Sequence, residues 1–185
     1  MVDDIMKDLE AGIAKALDSL KRELAKVRTG RANLARLDGV RVDYYGTPTP
    51  LNQMANLSSP DPRLIVISPF DKSTLQAIEK AIQASDLGLT PNNDGSIIRL
   101  QIPELTEERR RQLVKVVRGI TEEGKIALRN IRRDVMHDLK ELKDAGEAGA
   151  DDEHRAEEAL QKLTNEKVAE LDALLKAKEA EITEV

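Results

Sequence analysis

Side chains commonly used in catalysis or metal binding are scarce in this sequence of 185 residues, which has no cysteine and only two histidines. One of them, His154, directly follows Asp151–Glu153, and in one dimension this run resembles a metal-binding cluster. Consecutive residues of a helix point to different faces, however, and acidic residues at a helix start interact favourably with its dipole. The other, His137, lies beside Asp138 on a predicted helix. We interpret the acidic run as capping, and we expect no metal and no cofactor.

The short motifs of enzymes are also missing. Ser, His and Asp all occur, but there is no GxSxG nucleophile elbow, no HExxH zinc motif and no Walker phosphate loop. The absence of cysteine excludes disulfides, thiolate metal sites and cysteine nucleophiles. The glycines of YYGTPTPL and NNDGS have the spacing of turns. We therefore predict that the protein is not an enzyme and has no small-molecule substrate.

Basic side chains, in contrast, share one face of a long predicted helix. On a helical wheel of about 100° per residue they fall in one sector about 100° wide that extends over about six turns. The residues of this sector are Arg111, Lys115, Arg118, Lys125, Arg129, Arg132 and Arg133. Only Glu122 interrupts it, and the apolar residues of the segment centre on the opposite side. Arginine predominates, which favours forked contacts with phosphate or carboxylate groups. The pattern predicts a face that binds a polyanion.

Other interpretations of this face stay open. Acidic neighbours such as Glu122 and Glu123 can pair with it and make it an ordinary solvated surface. The polyanion can also be an acidic protein, in which case the chain is a helical adaptor or chaperone-like protein. The aromatic residues are Tyr44, Tyr45 and Phe70, all outside the predicted long helices, so these helices offer no platform for stacking bases. Structured RNA, held through phosphate contacts and shape, is the favoured partner.

Three amphipathic helices must position the basic face. Spacings of three and four between apolar residues predict a helix over about 3–28, with Asp3 or Asp4 as its N-cap. A second helix, capped by Thr106, is ~55 Å long, and a third of ~45 Å follows the glycine-containing break at 145–152. The predicted seam of the second helix contains Leu113, Val117, Ile120, Ala127, Ile131, Val135, Leu139 and Leu142. Because none of these helices is stable with such a stripe in water, we predict an elongated three-helix bundle.

The segment between the first two helices has the pattern of a small α+β domain. The alternation of Val40–Tyr45, the apolar run Arg63–Ser68 and the spacing within Ile98–Ile102 predict strands, and Asp71 can cap a short helix between them. The two prolines of Gly46–Pro50 are expected to force a turn. The predicted fold is therefore α+β, a three-helix bundle with an inserted β/α/β sandwich domain.

The predicted domains are a bundle of 1–30 with 105–185 and an insertion of 31–104. The chain passes between them twice, near 29–31 and near 103–105. Two short crossings permit hinge motion but restrict it. We accordingly expect the hinge residues to be Thr29, Gly30, Arg31, Pro103 and Glu104.

Charge is unevenly distributed along the chain, although the formal net charge is −5. Segments 21–36 and 107–134 are locally basic, whereas the chain from 141 onward is strongly acidic. The start, MVDDIMKDLE, is acidic and amphipathic, unlike a signal or transit peptide. No stretch approaches the roughly 20 apolar residues of a membrane span. We expect a soluble, cytoplasmic protein that does not enter membranes.

Several long strings in the sequence are distinctive. They are KVRTGRA (26–32), DG-VRV-YYGTPTPL (38–51), FDKS (70–73), EKAI-ASDLGL-PN (79–92), LTEERR (105–110) and RNIRRD (129–134). Together they resemble the bacterial ribosome recycling factor family, and the resemblance covers the full length without large insertions. No departure from the family pattern conflicts with it.

The resemblance implies a fold and a function. Members of that family form an L-shaped molecule similar in outline to transfer RNA, in which a smaller domain swings about a hinge. They bind the post-termination ribosome and, with elongation factor G and its GTP hydrolysis, drive the subunits apart, so that messenger RNA and deacylated transfer RNA are released. The bundle lies on large-subunit ribosomal RNA, with contacts at the arginines matching Arg28, Arg129 and Arg132. Arg31 flanks the same crossing as Arg28, and we expect it to bind RNA too. We expect a monomer.

Overall fold

The computed structural model describes residues 1–184 of the chain, which form two compact units. One unit joins Met1–Thr29 to the chain from Glu107 onward, and the other is Gly30–Thr106. In chain order the helices and strands are α1 (Val2–Lys26), β1 (Arg41–Tyr44), β2 (Thr47–Pro50), α2 (Leu51–Met54), β3 (Ala55–Asp61), β4 (Leu64–Pro69), α3 (Leu75–Ala84), β5 (Pro91–Asn93), β6 (Ile98–Gln101), α4 (Glu107–Asp144) and α5 (Ala150–Thr183). Short 3₁₀ turns cover Leu34–Leu37 and Lys72–Thr74.

The first unit is the predicted three-helix bundle, in which α4 packs against both α1 and α5. From α1 the buried side chains are Leu9, Ile13, Leu17, Leu20 and Leu24, at the predicted spacing. The predicted N-cap is wrong, because α1 begins at Val2 and both Asp3 and Asp4 lie within its first turn. An acidic first turn still interacts favourably with the helix dipole.

An ion-pair cluster joins α1 to α5. Lys21 of α1 donates to a carboxylate oxygen of Glu170 in α5 at 3.0 Å, and Lys167 donates to the other oxygen at 3.1 Å. These two hydrogen bonds lower the pKa of Glu170. The cluster lies at the rim of the bundle, so it orients the two helices while apolar burial supplies most of the stability.

The buried seam of α4 differs in part from the predicted one. Its buried residues are Leu113, Val117, Thr121, Leu128, Val135 and Leu139. Four predicted seam residues, Ile120, Ala127, Ile131 and Leu142, are only half-buried. Threonine can occupy the seam because the Thr121 hydroxyl donates to the carbonyl oxygen of Val117 at 2.9 Å, which satisfies a buried donor. The centre of the seam is therefore rotated by about 50° from the predicted position.

The second unit has a four-stranded antiparallel sheet of order β3-β4-β6-β5, a separate hairpin β1-β2 and helix α3. Helix α3 contacts both β1 and β5, so one core is shared by the hairpin, the helix and the sheet. The most buried side chains of this core include Val42, Ile67, Ile78, Ile98 and Leu100.

The Asp71 side chain accepts a hydrogen bond from the backbone N–H of Ser73 at 2.9 Å, and this bond lowers the pKa of Asp71. Asp71 thus caps the 3₁₀ turn that precedes α3, whereas the N-cap of α3 itself is Thr74, so the predicted cap lies one turn before the helix.

The predicted turn at Gly46–Pro50 is wrong, because Thr47–Pro50 forms strand β2. The chain reverses at Tyr45 and Gly46, whose φ angles of 49° and 83° suit a tight hairpin turn. Pro48 lies opposite Asp43 and Pro50 opposite Arg41, which are alternate positions of the hairpin. These are the non-hydrogen-bonded pairs of a two-residue hairpin, where no backbone N–H is needed for the ladder. Proline is therefore compatible with this two-stranded sheet.

Leu128, which is only 1% exposed, tests the observed seam of α4. We expect Leu128→Ala to lower the free energy of unfolding by about 2–5 kcal/mol, since it removes packed apolar volume and leaves a cavity. Chemical denaturation measures this change. The matched control is Ile126→Ala, two residues away and 47% exposed, which we expect to change stability by less than about 0.5 kcal/mol. Equal effects of the two substitutions would contradict the observed seam.

Candidate nucleic-acid interface

The basic face of α4, defined as Arg111, Lys115, Arg118, Lys125, Arg129, Arg132 and Arg133, lies on a single uninterrupted helix. The buried seam fixes the direction of this face. When one side of a helix packs against its neighbours, the opposite side is left towards solvent. Four members, Arg111, Lys115, Arg129 and Arg133, lie more than about 100° from the centre of the seam and are exposed. These four face solvent, as predicted.

Two members lie at the edge of the seam and correct the sequence prediction. Lys125 and Arg132 are half-buried rather than fully outward, because the rotated seam lies only about 50–70° from them. The Lys125 side chain is 19% exposed and forms an ion pair with Asp172 of α5 at 2.6 Å. Long basic side chains can place their alkyl stems against apolar surface while the charged end reaches solvent. Both residues therefore border the bundle core and the outer face at once.

Carboxylates from two sources pair with the face. Helix α5 supplies Glu179, which accepts a hydrogen bond from Arg118, and Asp172, which pairs with Lys125. Within α4, Glu107 pairs with Arg111, four residues away. For part of the basic face, the interpretation as an ordinary solvated surface is thus correct. Pairs between two exposed side chains, such as Arg111 with Glu107, contribute at most about 1 kcal/mol, so a phosphate group can replace the carboxylate there at small cost.

The remaining cations of the face have few carboxylate partners. Arg129 pairs with Glu122 at 3.3 Å, and Arg133 donates to the side-chain oxygen of Asn130, a neutral group. Within residues 1–184, no carboxylate lies within ion-pair distance of Lys115, Arg132 or Arg133. These three cations are available to an incoming anion without first breaking an ion pair.

The two remaining arginines predicted to bind RNA belong to different units. Arg28 is exposed, follows the end of α1 and lies in the unit that contains α4. Arg31 is half-buried and lies in the other unit. The basic face of α4 and Arg28 are therefore parts of one compact unit, whereas Arg31 is not.

The predicted hinge residues lie at the boundary between the units. Thr29 ends one unit, while Gly30, Arg31, Pro103 and Glu104 belong to the other. Glu104 forms an ion pair with Arg63 of that same unit. Gly30 has a φ of +76°, and a Cβ there would lie 2.8 Å from the Cγ of Leu105. The two crossing segments thus touch each other, and Leu105 is a contact residue that sequence reasoning missed.

The histidines and the acidic run take ordinary structural roles. His137 and His154 each approach a glutamate four residues later at 3.3 Å. Asp151 and Asp152 are exposed in the first turn of α5 rather than at its N-cap, which is Gly149. Glu153 is buried and pairs with Lys143 at 2.6 Å, and this contact raises the pKa of Lys143. Among the described residues, no group of three or more such side chains could hold a metal ion.

Two exposed aliphatic residues of α4 were not identified from the sequence. Val116 is 49% exposed and Ile126 is 47% exposed. The wheel position of Ile126 could have revealed it, because that residue lies more than about 100° from the predicted seam as well as from the observed one. Val116 lies only about 60° from the predicted seam, so its exposure follows from the rotation of the helix. Ile126 lies between basic residues on the outer face.

Together, the fold and the face define a class of protein. It is a three-helix bundle with an inserted α+β unit and an arginine-rich outer helix face suited to a polyanion. In the part of the chain that the structure describes, no helix has an apolar stretch long enough to cross a membrane.

Comparison with known proteins identifies the family. The profile of the ribosome recycling factor family matches residues 20–183. The ribosome-recycling factor of Halalkalibacterium halodurans is 54% identical over 185 residues, covering 100% of both chains. That of Natranaerobius thermophilus is 53% identical over 182 residues, covering 98% of this chain and 99% of the relative. This chain belongs to the ribosome recycling factor family.

Solved structures agree with this assignment. A solution structure of the ribosome recycling factor matches with a TM-score of 0.82 at 41% identity, covering 100% of this chain and 98% of that one. A second match, with a TM-score of 0.67 at 45% identity, covers 98% of each chain. It is described as models for the T. thermophilus ribosome recycling factor and the E. coli elongation factor G bound to the E. coli post-termination complex.

Glu179 tests whether the paired cations of the face can contact an added anion. We expect Glu179→Gln to increase the salt concentration needed to elute the protein from immobilised heparin, because it releases Arg118 from its carboxylate. Glu166→Gln is the matched control, since it makes the same charge change at an exposed residue of α5 with no ion pair in the described chain. A shift of equal size in both variants would mean that only net charge matters.

Proposed function

We propose that this protein binds the post-termination ribosome and, together with elongation factor G and its GTP hydrolysis, separates the two ribosomal subunits. Messenger RNA and deacylated transfer RNA are then released. Membership of the ribosome recycling factor family supports the proposal. A similar structure, described with elongation factor G on a post-termination complex, supports the choice of partners.

The observation that carries the RNA contact is the basic face of α4. Its outward position follows from the buried seam, and three of its cations, Lys115, Arg132 and Arg133, have no carboxylate partner within residues 1–184. Binding of such a face to ribosomal RNA releases condensed counterions, which is the main source of affinity for nucleic acid. The predominance of arginine suits bidentate phosphate contacts. We assign the large-subunit ribosomal RNA to this face.

The distribution of aromatic residues supports a contact through phosphates and shape. Tyr44, Tyr45 and Phe70 are all exposed, and all belong to the Gly30–Thr106 unit. The bundle therefore has no Phe, Tyr or Trp ring on which an unpaired base could stack. Structured RNA presents its phosphates and riboses in a regular array, and a straight helix face can contact such an array without reading bases.

In this proposal the protein performs no chemistry of its own. GTP hydrolysis by elongation factor G supplies the free energy, and the protein, a cytoplasmic monomer, transmits the resulting movement to the ribosome. The crossing segments at Thr29–Arg31 and Pro103–Leu105 provide the flexible link between the bundle and the second unit. The positive φ of Gly30 and its close approach to Leu105 set the path of the chain there.

Arg132 and the salt dependence test the RNA contact. If the face neutralises six to ten phosphates, affinity for isolated large ribosomal subunits should fall about 10³–10⁵-fold between 50 and 200 mM salt. We expect Arg132→Ala to reduce the binding free energy by about 1.5–3 kcal/mol, the range for hydrogen bonds to charged groups. The helical content should stay unchanged. A salt-independent affinity would instead favour an adaptor that binds an acidic protein.

Gly30 tests the link between the units. Alanine at φ +76° is strained, and its Cβ would clash with Leu105, so Gly30→Ala must shift the crossing segments. We expect large-subunit binding within about twofold of the original and subunit splitting with elongation factor G slowed about tenfold. The double variant Gly30→Ala, Leu105→Ala removes the clash but keeps the strained φ, so it should recover part of the rate. Unchanged splitting by the single variant would exclude this link from the mechanism.

A further inference from the structure

Gly119 lies in the interior of α4 without a packing reason. A Cβ built on it meets no heavy atom within 4 Å among the described residues. Glycine is among the poorest helix formers, so an unneeded glycine in a 38-residue helix weakens that helix. Gly124, five residues later, is different, because its Cβ would lie 3.0 Å from the Cδ1 of Leu20 in α1. Packing explains Gly124 and leaves Gly119 unexplained.

The position of Gly119 places it on the outer side of the helix. It is exposed, and on the helical wheel it lies within about 40° of Lys115, one turn earlier. Val116 also lies one turn before it, and Glu122 and Glu123 lie one turn after it. The missing side chain leaves a notch that exposes the helix backbone between these four residues. A glycine on a binding face lets the backbone of a partner come close.

The charges of the side chains around the notch indicate which chemical groups of an RNA partner can lie there. Glu122 and Glu123 border it. Glu122 is paired with Arg129 at 3.3 Å, whereas Glu123 has no ion pair within residues 1–184, so a phosphate would be repelled there. Carboxylates are hydrogen-bond acceptors, and the groups of an RNA backbone that can donate to them are the ribose 2′-hydroxyls. In duplex RNA these hydroxyls line the minor groove, which is wide and shallow enough to meet a convex helix.

The other side chains around the notch also suit the surface of duplex RNA. Val116 and Ile126 are each nearly half exposed on the same outer side, where they can contact the carbon atoms of riboses. Lys115 lies before the notch, and Arg129 and Arg133 lie beyond it. The two cations between them, Arg118 and Lys125, are paired with carboxylates of α5, so the outer side at the notch is less basic than its ends. Lys115 and Arg129 are separated by about 21 Å along the axis. Such an arrangement can hold phosphates of both strands while the centre lies over the groove.

We propose that the Gly119 notch is the point where the minor groove of duplex RNA seats on α4, with ribose 2′-hydroxyls donating to Glu122 and Glu123. This inference rests on the proposed function and adds to it a residue that determines specificity for RNA over DNA. The absence of a side chain at residue 119 lets the groove approach the helix, and the flanking cations supply most of the affinity.

The experiment compares side-chain size at residue 119. Gly119→Ala and Gly119→Leu both introduce better helix formers, so both should raise the midpoint of thermal unfolding. Binding is measured at 50 mM salt to a 20-base-pair RNA duplex and to the DNA duplex of the same sequence. The original protein should favour RNA by about tenfold. Gly119→Ala should weaken RNA binding about tenfold and Gly119→Leu further still, while DNA binding changes by less than about twofold.

The control is Gly12→Ala in α1. Gly12 also has nothing within 4 Å of its Cβ, but Asp8 and Lys15, its charged neighbours one turn away, carry opposite charges and form no cationic face. This variant should gain thermal stability with unchanged binding to both duplexes. Unchanged RNA binding by Gly119→Leu would overturn the inference. Equal losses for Ala and Leu would also overturn it, since they indicate a need for flexibility rather than space.

The carboxylates provide a second readout. Glu123→Ala removes the acceptor and a repulsive charge together, so it should raise affinity for the DNA duplex and reduce the preference for RNA. An unreduced preference contradicts the role of the 2′-hydroxyls.

Arg132→Ala in the same assay separates the proposed function from the proposed notch. If it weakens RNA binding while the Gly119 variants do not, the basic face stands and the notch is rejected. If neither changes binding, the RNA-binding face itself is rejected.

Discussion

Helix α4 is held in place by the burial of one side between α1 and α5, and this constraint controls the rest of the bundle. A 38-residue helix is not stable alone in water with an apolar stripe exposed. Leu113, Leu128 and Leu139 therefore define which side faces inward. Gly124 contributes to the same arrangement, because it allows Leu20 of α1 to approach closely. The outward direction of the basic face is a consequence of this packing.

Electrostatics then modifies the face that packing creates. The chain is acidic overall, with a formal net charge of −5, yet α4 presents a row of cations. Helix α5 contributes both apolar seam residues and the carboxylates of Asp172 and Glu179, which pair with Lys125 and Arg118. Lys125 is only 19% exposed, so its pair also borders the bundle core, whereas Arg118 is 63% exposed and its pair adds little stability. An RNA phosphate can therefore take over such a cation without unfolding or rearranging the bundle.

The chemistry of the face divides along its length. Unpaired or outward cations occur at both ends, while the middle contains a glycine, two carboxylates, exposed aliphatic side chains and two cations that are paired with carboxylates of α5. A uniformly basic helix would bind any polyanion according to charge alone. Alternation of cationic and neutral regions instead matches a partner whose own charged and uncharged groups alternate, as the phosphates and riboses of duplex RNA do. Under the proposal made above, this match gives specificity without base contacts.

Much of this architecture could be predicted from the sequence because its signals are periodic and local. Spacings of three and four residues identified the three helices and the cationic sector, and the long sequence strings identified the family.

Interactions between distant residues could not be predicted from such local patterns. The pairing of Arg118 with Glu179, 61 residues later, depends on how α4 is rotated against α5. That rotation also half-buries Arg132, and it is set by the packing of all three helices. Likewise, Thr47–Pro50 is a strand only because β1 lies beside it in a register that requires no N–H from either proline. Local periodicity thus determined which elements exist, whereas their mutual packing decided which side chains are paired, buried or free to bind.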